Sequence, residues 1–311
     1  MEISTAIVTG GAGFIGSHVV DALLDRGARV VVVDDLSTGD SARVSDRATL
    51  EVLDITDAAA LHRLVDTVRP DAVFHLAAQS SVTVSVADPV RDCEVNVKGT
   101  LNLLQACRPH RIPITFTSTG GALYGNDAPL PTPEEARPAP ISPYGASKWA
   151  GEAYLATWAS ADGVGHAICR LGNVYGPRQS PHGEAGVVAI LSYQLWRGER
   201  PTLFGFGKPT RDYVHVTDVA GGLIAAAGHR GWFNIATGTA VAVKEVFDLL
   251  HAAVAPAEPI EPILAPLREG ELERSCMDPA RAGRELGWTP AIPLSVGIPS
   301  TCAALLSGFA S

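Results

Sequence analysis

Tyr144 and Lys148 stand four residues apart in Ser142-Pro-Tyr-Gly-Ala-Ser-Lys148, which continues into Trp149-Ala-Gly-Glu-Ala-Tyr-Leu155. On a helix of 3.6 residues per turn this spacing stacks both side chains on one face, about one turn apart. An ammonium close to a phenol favours the phenolate, so Lys148 is expected to lower a tyrosine pKa that is ordinarily near 10. A tyrosine tuned in this way takes a proton from a hydroxyl near neutral pH. The same pair is also compatible with two ordinary surface residues, so its meaning depends on what the rest of the chain builds around it.

Upstream, strand-like and helix-like runs alternate. Thr5-Ala-Ile-Val-Thr9 reads as a buried parallel strand. It enters Gly10-Gly-Ala-Gly13-Phe-Ile-Gly16 and then a helix over residues 17–26, closed by Gly27. Glycines let a backbone turn tightly and approach a pyrophosphate, whose charge sits at the helix N-terminus. A second strand, Arg29-Val-Val-Val-Val33, ends in Asp34, 18 residues beyond Gly16. A carboxylate there accepts the ribose hydroxyls of an adenosine and repels a 2′-phosphate, so NAD is the expected cofactor rather than NADP. Residues 50–54, 71–78 and 114–118 read as further strands, and residues 57–65 and 94–107 as helices, the latter with a polar Asn96 in its apolar stretch. Repeated βα units of this length predict a doubly wound, Rossmann-like parallel sheet with ligands at the carboxyl ends of its strands. His75, inside the fourth strand, reads as a hydrogen-bonded structural histidine.

Composition sets the outer limits. The 311 residues are 46% hydrophobic and 18% charged, enough for one large α/β unit or two lobes. A net charge of −9 argues against a nucleic-acid or anionic-membrane surface. Cys93, Cys107, Cys169, Cys276 and Cys302 are widely spaced with no CxxC, which predicts reduced thiols in a cytoplasmic protein, without disulfides or metal. No stretch is long and apolar enough to span a membrane, and no leader-like segment precedes the first strand.

The marks Thr9-Gly-Gly-Ala-Gly-Phe-Ile-Gly16, Asp34-Asp-Leu36, His75-Leu-Ala-Ala78, Asn96-Val-Lys-Gly-Thr100, Ser142-Pro-Tyr144 with Lys148, and Arg211-Asp-Tyr-Val-His-Val216 resemble the extended short-chain dehydrogenase/reductase family. Within it the chain most resembles the UDP-galactose (UDP-glucose) 4-epimerases, and the run 177–190 resembles their nucleotide-sugar loop. The resemblance implies that Tyr144 is the base and that Lys148 tunes it and holds the nicotinamide ribose. A third hydroxyl is implied at the end of the fifth strand. Thr117-Ser-Thr-Gly-Gly-Ala-Leu-Tyr124 carries one extra residue before its Tyr-Gly, so counting from the strand picks Thr119, with Ser118 the alternative. Nucleotide-sugar 4,6-dehydratases, which this chain also resembles, carry an Asp-Glu pair after that threonine; Gly120 and Gly121 stand here instead.

By the same resemblance, the NAD site comprises Gly10, Gly13, Phe14, Ile15 and Gly16 in the cradle and Asp34, Asp35, Leu36, Ser37, Thr38 and Gly39 after the second strand. Asp54 and Ile55, then Leu76, Ala77, Ala78 and Gln79, with Asn96 and Thr117, complete it beside Tyr144 and Lys148. The implied substrate contacts are Ser81, Thr119, Tyr144, Asn173, Val187 and Val188, a uridine strand Thr202-Leu203-Phe204, the diphosphate clamp Arg211 and Arg268, and Glu271. Ser275 is implied to stand beside the 2-substituent of the sugar, and as a small residue it leaves room for an acetamido group. Arginine suits the clamp because its planar fork meets phosphate oxygens bidentately.

The expected organisation is an NAD-binding domain over residues 1–172 with a return segment at about 212–240, and a smaller UDP-sugar lobe from 173–211 and 241–311. Residues 256–266, rich in proline, read as an exposed connection. The expected activity is NAD-dependent 4-epimerisation of UDP-glucose/UDP-galactose, with UDP-GlcNAc/UDP-GalNAc also accepted, through a 4-keto sugar. The alternatives are a 4-epimerase of another UDP sugar, such as a uronic acid or pentose, and a non-catalytic NAD-sensing regulator, against which the Tyr144/Lys148 pair speaks. A homodimer is implied through the helices around residues 96–107 and 148–158, where Tyr154, Leu155 and Trp158 offer more apolar surface than one inner face needs.

Overall fold

Alternation along the first strands sorts their side chains into two cores. Ala6, Val8, Val30 and Val32 pack on one side, while Ile7, Val31 and Val33 pack on the other. Strands buried on both faces in this way need helices above and below them. The computed structural model describes residues 1–182, 186–268 and 271–309. β1 (Thr5–Thr9) feeds α1 (Phe14–Leu24), then β2 (Arg29–Asp34), β3 (Thr49–Val52), α2 (Ala58–Val68) and β4 (Ala72–His75). Two short helices, α3 (Val82–Ala87) and α4 (Pro89–Cys93), lead through a π-helical stretch, Glu94–Gly99, into α5 (Thr100–Cys107) and β5 (Ile114–Thr119). The long α6 (Pro143–Asp162) is followed by β6 (Ala167–Leu171), β7 (Asn173–Tyr175), α7 (Val187–Trp196), β8 (Thr202–Phe204) and β9 (Thr210–His215). The chain closes with α8 (Val216–Ala226), β10 (Gly231–Ile235), β11 (Ala240–Ala242), α9 (Val243–Val254), β12 (Ile263–Ala265) and α10 (Leu294–Phe309).

Seven parallel strands form the main sheet in the order β10-β6-β5-β4-β1-β2-β3, as the repeated βα units predict. Helices α1 and α8 cover one face through Val19, Leu23, Val219 and Leu223. The other face carries α2, α5 and α6 through Leu61, Leu103 and Leu155. The strand order reverses between β1 and β4, which opens a crevice beyond their carboxyl ends. A third core, with Leu191, Leu203, Phe247 and Ile298, joins α7, α9 and α10 beneath a small sheet of β11, β9 and β7. Ala282 and Trp288, far along the chain, pack into the first core rather than the third.

Several elements differ from the sequence expectation. α1 starts at Phe14, not at residue 17, because Gly13 already serves as its extended N-cap. The fourth strand ends at His75, and residues 76–78 run on as irregular chain. The helix expected over 94–107 is π-wound in its first part, where Asn96 turns into a buried cluster described below. The connection over 256–266 contains β12, whose Ile263–Ala265 pairs in parallel with β8. On α6, Leu155 is fully buried and adds no outer surface, while Trp158 packs half-buried against the second core. Tyr154 is exposed, together with Val86, Val90 and Trp149. No helix among the described residues is long and apolar enough to cross a membrane.

Candidate active site

The turn after β1 closes only with glycine at its key positions. Gly10 has φ +72°, and a Cβ there would lie 2.6 Å from the backbone nitrogen of Ala77; one at Gly16 would lie 2.1 Å from the Gly10 carbonyl oxygen. No side chain caps α1, which leaves the first-turn N–H groups of Phe14, Ile15 and Gly16 for an anion. Asp34 ends β2 at the expected place and braces the turn. Its carboxylate accepts hydrogen bonds from the N–H groups of Ala12 and Leu36, both at 3.0 Å. Burial holds its pKa above the usual carboxylate range. Asp35 accepts from the N–H and hydroxyl of Ser37, and Gly39 presses so close that a Cβ would lie 2.6 Å from Asp34 Oδ1.

The far wall of the crevice is a buried polar cluster. Asn96 accepts from the Gln79 N–H at 2.8 Å and donates to the Gln79 carbonyl, Asp92 and Ser147. The Ser147 hydroxyl donates to the Tyr144 carbonyl, so the cluster ties the chain after β4 to the first turn of α6. Ser81 caps α3, accepting from the Val84 N–H. Asp54 accepts from the Thr56 N–H, and Ile55 is buried with its side chain against Gly99. Thr117, expected beside the cofactor, donates its hydroxyl to the His75 carbonyl. His75 itself lies between Thr9 and Thr100 at 2.7 and 2.9 Å, and burial drops its pKa to about 3, the neutral structural role read from the sequence.

Tyr144 and Lys148 occupy the start of α6, where Ser142 caps the helix by accepting from the Gly145 N–H and Pro143 fixes the first turn. Gly145 and Gly151 let the helix sit against the Ala122 carbonyl and the Phe116 ring. Lys148 is 3% exposed, and its Nζ stands 4.4 Å over the Phe116 ring. The electrostatics reverse the sequence expectation. Burial pushes Tyr144 up to about 12, with the Asp92 charge adding to it, and Lys148 does not offset that rise. Burial likewise drops Lys148 to about 8, against the opposing pull of Glu152 and Asp92. In the protein alone, desolvation of both groups outweighs their mutual effect.

Tyr144 lines a cavity of about 350 Å³ with Phe14, Ile15, Ser118, Thr119, Asn173, Val187 and Val188, so the cavity joins the segments expected as cradle, base and nucleotide-sugar contacts. The Thr119 hydroxyl accepts from the Ala122 N–H at 3.2 Å, while Ser118 Oγ is buried with no partner among the described residues. The other expected substrate residues form a separate corner. Arg268 stacks 3.7 Å over the Phe204 ring and pairs with Glu271 at 3.6 Å. Arg211 is bound through its guanidinium to the carbonyls of Thr210 and Leu272, and burial lowers its pKa. Thr202 is half-buried, whereas Leu203 turns into the third core at 1% exposure and presents no open surface to a ligand. Ser275 lines a second, smaller cavity beside Gly120, Tyr124 and Leu272. A Cβ on Gly120 would lie 1.9 Å from Met277 Sδ. Gly183–Ala185 of the expected nucleotide-sugar loop lie outside the described residues.

Sequence reasoning passed over two groups. Arg170 on β6 forms a buried pair with Glu152 at 2.6 Å and also donates to the Tyr124 hydroxyl and the Glu134 carbonyl. Gln179 and Tyr213 line the main cavity; both lie inside motifs already noted, which was the available signal.

The parallel sheet, the glycine cradle and this cavity define a nucleotide-dependent enzyme of the doubly wound class. The chain belongs to the NAD dependent epimerase/dehydratase family, whose profile matches residues 6–236. It is 45% identical over 306 residues to a UDP-glucose 4-epimerase of Mycolicibacterium smegmatis, covering 95% of this chain and 96% of that one. Its fold superposes on UDP-glucose 4-epimerase with UDP-glucose from Thermotoga maritima with a TM-score of 0.94 and 42% identity, over 98% of this chain and 99% of that one. For the Thermus thermophilus UDP-glucose 4-epimerase in complex with NAD the TM-score is 0.89 at 42% identity, over 97% and 99%.

Proposed function

We propose that this protein interconverts UDP-glucose and UDP-galactose by NAD-dependent 4-epimerisation through a 4-keto sugar. The observation that carries the reading is the single cavity that brings Tyr144, the Ser118 and Thr119 hydroxyls, the first turn of α1 and the Asn173 and Val187–Val188 segments together. The glycine turn, closed to any Cβ at Gly10 and Gly16, fits a pyrophosphate. The Asp34 carboxylate would hold the adenosine ribose, with Lys148 at the nicotinamide end. Bound NAD supplies the oxidant for C4 of the sugar, and its positive ring favours the phenolate of Tyr144. Tyr144 then accepts the 4-hydroxyl proton and returns it after the sugar has turned, with Thr119 or Ser118 orienting that hydroxyl. Asn173 and the Arg211 and Arg268 corner hold the UDP end, which leaves the hexose free to present either face.

Residues of both the first and the third core line the cavity, which supports dividing the chain into an NAD-binding lobe and a UDP-sugar lobe. The exposed Val86, Val90, Trp149 and Tyr154 support docking of a second copy against α3, α4 and α6. Light scattering that returns the mass of one chain at micromolar concentration removes the homodimer. The buried Cys107, Cys169, Cys276 and Cys302 suit a cytoplasmic setting. The test of function is NMR of UDP-galactose, UDP-GlcNAc, UDP-GlcA and UDP-xylose incubated separately with the protein and no added NAD. Conversion of UDP-galactose to UDP-glucose is the expected result. Conversion of the uronic acid or pentose alone assigns the other sugar class, and no conversion of any sugar overturns the reading.

A further inference from the structure

β7 and β9 pair in parallel with Asn173 beside Tyr213 and Tyr175 beside His215. Side chains alternate across a strand, so Arg211, Tyr213 and His215 share one face of the small sheet, next to Asn173 and Tyr175. Tyr213 is 5% exposed and lines the main cavity. Its hydroxyl has no hydrogen-bond partner among the described residues. Buried polar groups nearly always have one, and leaving one unpaired is costly. If Tyr213 served the third core alone, phenylalanine would pack there without that cost. Ser118 Oγ and Gln179 Oε1 are buried and unpartnered among the described residues at the same cavity. The Gln179 amide donates its nitrogen to the Val174 carbonyl at 3.1 Å, which orients its oxygen as the free end. These three atoms ask for a ligand that offers both hydrogen-bond acceptors and hydroxyl groups. The Tyr175 hydroxyl differs: it packs against Gly297 of α10, where a Cβ would lie 2.1 Å away.

We propose that Tyr213 is a substrate-binding residue whose phenol donates a hydrogen bond to a phosphate oxygen of the sugar nucleotide, between Asn173 and Arg211. The inference rests on the UDP-sugar reading above and adds to it a contact that the motifs did not assign. Burial pushes the phenol up to about 12, against the Arg211 charge, so it keeps its proton and remains a donor throughout the neutral range.

Tyr213→Phe keeps the ring and removes only the donor. Calorimetry with UDP alone is expected to give about tenfold weaker binding, the weight of one hydrogen bond to a charged group. KM for UDP-glucose rises similarly while kcat stays within about twofold, because the phosphate contact is held equally in ground and transition states. The ligand-free thermal midpoint stays level or rises, since an unpaired buried hydroxyl is gone, and the UDP-induced rise shrinks. Unchanged UDP affinity, with or without a lower ligand-free midpoint, overturns the proposal and leaves Tyr213 a packing residue. If the wild-type protein turns over UDP-galactose while Tyr213→Phe binds UDP normally, only this inference falls. If the wild type binds no UDP, the UDP-sugar reading falls with it.

Discussion

Lys148→Met separates what the lysine does for catalysis from what it costs the fold. Lys148 is 3% exposed, and burial moves its pKa from 10.5 to about 8. At 1.36 kcal/mol per pH unit, holding that charge inside costs about 3 kcal/mol at pH 7. The ammonium recovers part of this over the Phe116 ring at 4.4 Å, a contact worth about 1–2 kcal/mol when desolvated. Methionine fills similar volume without charge, so the variant should be about 1–2 kcal/mol more stable at pH 7 and inactive. The pH dependence fixes the cause. Between pH 8 and 10.5 the unfolded chain keeps a proton that the folded chain has released, so wild-type stability climbs relative to the variant across that window. The difference should be full at pH 7, shrink by pH 9.5 and vanish above the unfolded pKa. Urea denaturation of nucleotide-free protein at pH 7 and 9.5 measures it without the binding energy of a cofactor. A variant less stable than wild type at pH 7, or a difference that ignores pH, refutes the reasoning.

Tyr144→Phe should keep the fold and NAD content while turnover drops about 10² or more, the loss typical of a positioned acid–base group; near-normal epimerisation would remove Tyr144 as the base. Glu152→Ala should lower stability by about 3–5 kcal/mol, because it leaves the buried Arg170 charge unpaired and takes the acceptor from the Trp232 N–H. A shift in the urea midpoint worth less than about 1 kcal/mol would show that Arg170 finds other acceptors. Ser275→Tyr fills the second cavity beside Gly120, and should cost UDP-GlcNAc far more kcat/KM than UDP-galactose; equal losses mean that Ser275 does not gate the 2-substituent.

What the sequence made legible was local. The glycine turn, Asp34 after β2 and the Tyr144–Lys148 spacing each depend on a few consecutive residues whose backbone geometry is nearly forced; the first turn of α1 and Tyr144 line one cavity, and Asp34 braces the turn before α1. What it hid was set by distant partners. The π-wound start at Glu94–Gly99 has Asn96 bonded to Gln79 and Ser147, 17 and 51 residues away. β12 is a strand only because β8 lies beside it. The spacing of Tyr144 and Lys148 reports their proximity and not their desolvation, which is the larger effect in the protein without its cofactor. Tyr213 looks in sequence like one more aromatic core residue of a strand; only the unpaired state of its hydroxyl sets it apart.

The contact of Gly120 with Met277 bears on how this chain can change its chemistry. Met277 is held by its N–H to the buried Asp212 carboxylate, and its backbone bridges to Thr132. Any side chain at position 120 would meet the Met277 thioether, which would have to swing to another rotamer on a fixed backbone. An acid at that position, as the resemblance implies for the dehydratases, calls for Met277 to repack or for a smaller residue at 277. The smaller residue taken first opens a void in the core and costs about 2–5 kcal/mol with no gain in activity. The reverse order places a carboxylate against a displaced, apolar thioether. The two chemistries are thus separated by changes at 120, 121 and 277, and the first and last of these are coupled through one packing contact.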